Sequence, residues 1–121
     1  MTSVSVFNSS RGQVLAAAVG LADRWWLRLR GLLGRPPLAR GEGLLLRPCR
    51  AVHMWGVHYP IDVAFLNREG TVIARYPGLG PGERTPWHPG ASQALELPAG
   101  VLESTGTLEG DTLICAEIAP A

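Results

Sequence analysis

Lysine is missing altogether from this 121-residue sequence, and all eleven basic side chains are arginines. A guanidinium is planar and permanently charged, so every cation here suits flat, two-pronged recognition of carboxylates. A high-GC or heat-adapted source would produce the same bias, so it says little about function. Charge of one sign is also lacking. The formal net charge is +1, too weak to draw nucleic acid or an anionic membrane through a long-range field, and neither is expected as a partner. The two cysteines, Cys49 and Cys115, stand far apart without a Cys-x-x-Cys spacing. That excludes a zinc cluster or a redox pair and leaves two buried free thiols. No apolar run approaches membrane-spanning length. The opening Met-Thr-Ser-Val-Ser-Val-Phe-Asn has no charged leader ahead of an apolar stretch, so no signal peptide is expected and the chain is read as cytoplasmic. Phosphate-cradling and dinucleotide glycine motifs are missing, because Gly78-Leu79-Gly80-Pro81-Gly82 runs into loop and not helix. No Ser sits in a Gly-x-Ser-x-Gly elbow, which weakens a Ser-His-Asp triad. No cofactor and no bound metal are expected.

A hydrophobic content of 46% against 17% charged residues argues for an ordered chain, and the length fits one domain over residues 1–121. Ser3 to Phe7 and Gln13 to Val19 read as strands joined by a turn. Asp23 is placed to cap a helix, behind which Trp25, Trp26, Leu29, Leu32 and Leu33 form one stripe expected to pack on the core. Gly34 offers that helix its end, and Pro36-Pro37 forbids continuation. Further strands are expected at 44–46, 51–55, 59–66, 71–76, 92–97 and 112–118, with a hairpin turn at Asn67-Arg68-Glu69-Gly70. Pro98 is expected to open a second short helix ending near Gly106. Residues 77–90 hold four Pro and four Gly, which reads as a long mobile loop forming one edge of any site, with Trp87 as its latch. The fold class expected is α+β, a small mainly antiparallel β-barrel or sandwich with two short helices.

Chemistry concentrates between His53 and Asn67. Asp62 lies in Pro60-Ile61-Asp62-Val63-Ala64-Phe65-Leu66, where an unpaired carboxylate would suffer a desolvation penalty of several kcal/mol, so it requires a partner. Glu96, between Leu95 and Leu97, poses the same problem. Arg30 or Arg24 is the expected partner for both acids, a pairing that can be structural or part of a site. If residues 52–58 are extended, His53, Trp55 and Val57 share one face and Met54 and His58 the other. His53, His58 and Asp62 could make a two-His, one-carboxylate metal set, but strand parity separates the imidazoles. The preferred function is a non-enzymatic binding or accessory module with a shallow pocket drawn from His53, Trp55, His58, Asp62, Trp87, Glu96 and Arg30. A Trp platform beside carboxylates suits a polar, sugar-like small molecule or a peptide. The alternative is a hydrolase or metal-assisted enzyme using Asp62 with His53 or His58.

Arg30-Gly31-Leu32-Leu33-Gly34-Arg35 resembles the Arg-Gly-Leu-Met-x-Arg signature of the domain of unknown function 192 family. Gly43-Leu44-Leu45-Leu46 is similar to its Gly-Met-Leu-Phe, and His53 through Asp62 to its His-Thr-Phe-Gly-Met-Arg-x-Pro-Ile-Asp. Leu95-Glu96-Leu97-Pro98-Ala99-Gly100 and Gly110-Asp111 match its closing Leu-Glu-Leu-x-Ala-Gly and Gly-Asp. In order and spacing these span roughly residues 15 to 113. Val57 stands where Met is usual and His58 where Arg or Lys is usual. The resemblance implies a compact β-rich domain with short helices and no established biochemical activity. Many relatives carry an export signal, so cellular location is not borrowed from them.

Overall fold

Alternation along β4 (Ile61–Leu66) organises the molecule, because all six of its residues are buried. Ile61, Val63 and Phe65 enter one apolar cluster, while Ala64 and Leu66 enter another. A strand whose two faces meet two different cores must lie inside a sheet covered on both sides. The computed structural model, in which residues 1–118 are described, shows that sheet. The other elements are β1 (Ser3–Asn8), β2 (Gln13–Ala22), α1 (Trp25–Arg30), β3 (Glu42–Leu46), β5 (Val72–Leu79), β6 (Gln93–Pro98), α2 (Val101–Ser104) and β7 (Leu113–Glu117). The seven strands run in the order β5-β4-β6-β3-β2-β1-β7. Every pairing is antiparallel except β2 with β3. The sheet curls into a half-barrel, so the fold is α+β and mainly β, as its alternation predicts.

One corner of the curl is pinned. Thr71 bridges Thr112, and the Leu113 N–H donates to the Gly70 carbonyl at 2.8 Å, which ties the start of β5 to the start of β7. The inner face carries Val6, Val19, Leu45, Leu66, Leu95 and Leu97, closed by Leu102 of α2. The outer face carries Leu44, Leu46, Val63 and Phe65, and is covered by loop residues such as Val52, Met54, Val57 and Ala91.

Several expectations need correction. Helix α1 is only six residues long and buries none of them. Trp25, Trp26 and Leu29 are 65%, 54% and 73% exposed, so the stripe is not core, and only Leu32 beyond the helix is buried. The cause is Gly31, whose φ of +50° ends the helix before the stripe can continue, with its N–H bonded to the Leu27 carbonyl. Asp23 is not the cap, since extended Arg24 precedes the first turn without a side-chain hydrogen bond. Residues 51–55 are not a strand. Only His53 makes a bridge, to Arg84, and the chain then turns at Gly56, φ +76°. The 77–90 segment is not free of pairing either: β5 runs through Pro77 and Gly78 to Leu79. Beyond it, Met54 N–H donates to Glu83 C=O, Thr85 N–H to Val52 C=O, and His88 N–H to Arg50 C=O, all within 2.9 Å. Pro98 ends β6, and α2 starts only at Val101. Among the described residues no helix is long and apolar enough to cross a membrane.

Candidate functional site

Strand parity puts the two buried acids on opposite faces of the sheet. Asp62 shares the inner face with Ala64 and Leu66, and Glu96 lies opposite Val63 and Leu44 on the outer one. Asp62 is 1% exposed and its oxygens are fully engaged. Oδ1 accepts the Gly78 N–H at 2.9 Å, and Oδ2 accepts the N–H groups of Gly100 at 3.1 Å and Leu102 at 2.9 Å. Two of these donors are amides at the start of α2, which have no partner inside the helix. Asp62 therefore caps α2 across the barrel and seals β5 to it. The expected arginine partner is corrected: backbone amides fill that role. Arg30 instead turns its Nε to the Leu33 carbonyl at 3.2 Å.

Glu96 is the contrasting case. It is 5% exposed, and its Oε1 has no hydrogen-bond partner. Burial without a compensating charge pushes its carboxyl up to about 7. The Tyr59 hydroxyl is likewise unpartnered, and is raised first by burial and then by Glu96. The Cys49 thiol donates to the Ala51 carbonyl at 3.1 Å. It too is raised, chiefly by burial. No arginine pairs with Glu96. Among the described residues the ion pair formed is Arg11 with Asp111 at 3.0 Å, which holds the Asp111 carboxyl down to about 2.

Glu96 faces a cavity of about 330 Å³ between α1 with its following turn and the 46–57 segment. Its walls are largely apolar, with Leu32, Leu33, Met54 and Val57 inside and Trp25 and Trp55 near the opening. Gly56 makes this shape possible, because a Cβ there would lie 2.7 Å from Leu33 Cδ2. Of the residues singled out from sequence, the cavity gathers His53, Trp55, Glu96 and Arg30. It does not include His58, Asp62 or Trp87. The sheet separates Asp62 from the cavity, and His58 and Trp87 are solvent-exposed elsewhere. Among the described residues no group of three or more His, Cys, Asp and Glu side chains is arranged to hold a metal ion, so the His53, His58 and Asp62 set is not assembled.

The latch of the 80–90 loop is also corrected. Trp87 is exposed, whereas His88 Nε2 shares a 2.7 Å hydrogen bond with the Tyr76 hydroxyl and tilts against Phe65 at 4.7 Å. Sequence reasoning also missed Arg28 and Cys49, which line the cavity with Glu96, and Tyr59, which feels the Glu96 charge. None has a motif, and only the folded chain brings them near Glu96 on β6.

The family model for domain of unknown function 192, described as "Uncharacterized ACR", matches residues 6–115. Curated proteins give no significant match. Among solved structures, a Sinorhizobium meliloti 1021 protein that carries a provisional transcription-regulator label superposes with a TM-score of 0.75 at 26% identity, covering 94% of this chain and 92% of its own. A protein of unknown function from Novosphingobium aromaticivorans DSM 12444 superposes with a TM-score of 0.78 at 22% identity, covering 93% of this chain and 83% of its own, a likeness of fold alone. The match over residues 6–115 takes in nearly every described strand and both buried carboxylates of the sheet: this chain belongs to the domain of unknown function 192 family.

Proposed function

We propose that this protein is a binding module whose site is the cavity over Glu96. The observation that carries this reading is the buried carboxyl of Glu96, a residue that lines an apolar cavity and whose Oε1 has no hydrogen-bond partner. An unsatisfied buried polar group costs about 1–3 kcal/mol, and a ligand atom that hydrogen-bonds it recovers that cost on binding. The walls favour a molecule with a mainly apolar body and one polar group, smaller and less hydroxylated than a sugar. Trp25 and Trp55 supply aromatic surface at the opening, and His53 a polar group on the rim.

The enzyme alternative draws no support from position, because Asp62 is sealed on the inner face and reaches neither histidine. The regulator label of the Sinorhizobium protein fits this chain better through ligand sensing than through DNA reading. Among its described residues the longest helix has six residues, about 9 Å, a short element to lay along a major groove.

A thermal-shift screen of small amphipathic compounds tests the proposal, with Glu96→Gln and Glu96→Leu as partners to the natural chain. A ligand at about 100 times its dissociation constant should add roughly 2.7 kcal/mol. A ligand that accepts a hydrogen bond should bind best below pH 7, where Glu96 keeps its proton. A cationic ligand should show the opposite slope. Hits that bind Glu96→Leu as tightly as the natural chain would place the site elsewhere.

A further inference from the structure

Two segments frame the opening of the cavity, residues 24–35 and 46–58. Together they hold six of the eleven arginines (Arg24, Arg28, Arg30, Arg35, Arg47 and Arg50) and none of the ten acidic residues. The whole-chain charge of +1 conceals this local asymmetry. None of the six has a carboxylate within 4.0 Å among the described residues. Asp23 and Glu83 lie beside the segments, and the Glu83 carboxylate is occupied with the Gly80 amide.

The same opening exposes large apolar groups. Trp25, Leu29 and Trp55 stand around it and are mostly solvent-exposed. Trp26 meets Trp25 edge to face at 5.7 Å and is exposed too. Single exposed apolar side chains are ordinary, but two indoles and a leucine around one opening, with a third indole against Trp25, make a patch. Indoles seat at the headgroup level of bilayers, their rings in the apolar boundary and their N–H groups among polar atoms. Guanidinium groups pair with lipid phosphates in two-pronged geometry, and their stems run along apolar surface.

We propose that the cavity opening is a docking surface for an anionic bilayer, with Trp25, Trp26, Leu29 and Trp55 entering the headgroup layer and Arg24, Arg28 and Arg30 on lipid phosphates. Uncompensated positive charge selects an anionic partner, and indoles beside arginines match the polarity gradient of a lipid interface. Docked in this way, the cavity opens toward the membrane. An amphipathic ligand could then pass between bilayer and cavity without crossing water.

Co-sedimentation of the full chain with vesicles tests this surface. Mixed phosphatidylcholine–phosphatidylglycerol vesicles should pellet the protein, with binding that falls as salt rises, and phosphatidylcholine alone should not. Each of Arg28→Gln and Arg30→Gln should weaken binding about fivefold. Trp25→Ala with Trp55→Ala should abolish it, whereas Trp87→Ala, outside the patch, should leave it intact. All of these side chains lie at the surface or its rim, so thermal melts should confirm that the variants fold. Absence of pelleting by anionic vesicles overturns the proposal, as does equal loss on Trp87→Ala. Binding to a Glu-rich peptide with vesicles inert also overturns it, giving the surface to an acidic protein. Glu96→Gln, which changes only the cavity floor, should leave vesicle binding unchanged, so the docking surface and the ligand site can fail separately.

Discussion

The inner and outer faces of the sheet each bury one carboxylate, and they treat it in opposite ways. Asp62 receives three backbone N–H groups, whereas Glu96 has an oxygen with none. Both acids sit between apolar neighbours on central strands. The difference lies in what crosses over each of them. Around Asp62 lie Gly78 of the neighbouring β5 and the start of α2, whose amides point at its carboxylate. Above Glu96 pass side chains from loops, with no amide aimed at it. A buried acid that is fully paired explains architecture, while one left unpaired marks a place where something else can bind.

The sharpest way to break this comparison is Asp62→Ala. It would leave the amides of Gly78, Gly100 and Leu102 without an acceptor, and hydrogen bonds to a charged group contribute about 1.5–3 kcal/mol each. Urea unfolding should show a loss of about 3–5 kcal/mol, with geometric relaxation absorbing the rest. A loss no larger than that of an ordinary surface mutation would erase the distinction between the faces.

Glu96→Gln should move stability the other way. Its carboxyl is raised from 4.5 to about 7 in the folded chain. The stabilisation linked to its proton is therefore complete below about pH 4.5 and lost as pH rises through 7. A shift of that size corresponds to on the order of 3 kcal/mol. The natural chain should weaken between those limits, and Glu96→Gln should flatten the slope and be the more stable at pH 8 by about 2 kcal/mol. Chemical denaturation at a series of pH values reads both effects.

Within the outer cover, His88→Ala should cost about 1–2 kcal/mol through its bond to Tyr76 and its packing on Phe65, against less than about 0.5 for Trp87→Ala. Hydrogen exchange across residues 80–90 should rise only in the first. The smallest effect belongs to Leu29→Ala, within about 0.5 kcal/mol of the natural chain because that side chain is exposed. A cost of about 2–5 kcal/mol would show that it is core after all.

Much of this was legible from residue order. Alternation in Ser3–Phe7 and Gln13–Val19, and Gly70 at the end of Asn67–Gly70, located hairpins that the structure contains. Apolar flanks singled out Asp62 and Glu96 correctly as buried. Their surroundings were not legible, because the donors to Asp62 are amides 16, 38 and 40 residues away and an amide has no letter of its own. Parity could have separated the two faces, since Glu96 points opposite to Leu95 and Leu97. The Trp25–Leu33 stripe misled because periodicity reports a shared face and not whether anything covers it. Residues 51–55 misled because aromatic and β-branched residues suit a tight loop over a core as well as a strand.

The pinned corner bears on self-association. A curled sheet that stops short of a barrel exposes two strand edges, each able to template another chain. Here the starts of β5 and β7 hold one another through Thr71 and Thr112. Gly70 makes the approach possible, for a Cβ at that position would collide with the carbonyl oxygen of Leu113. Any other residue at position 70 would pry the two edges apart and free them for intermolecular pairing. One hydrogen atom in place of a methyl group thus lets the starts of these two edge strands close on each other.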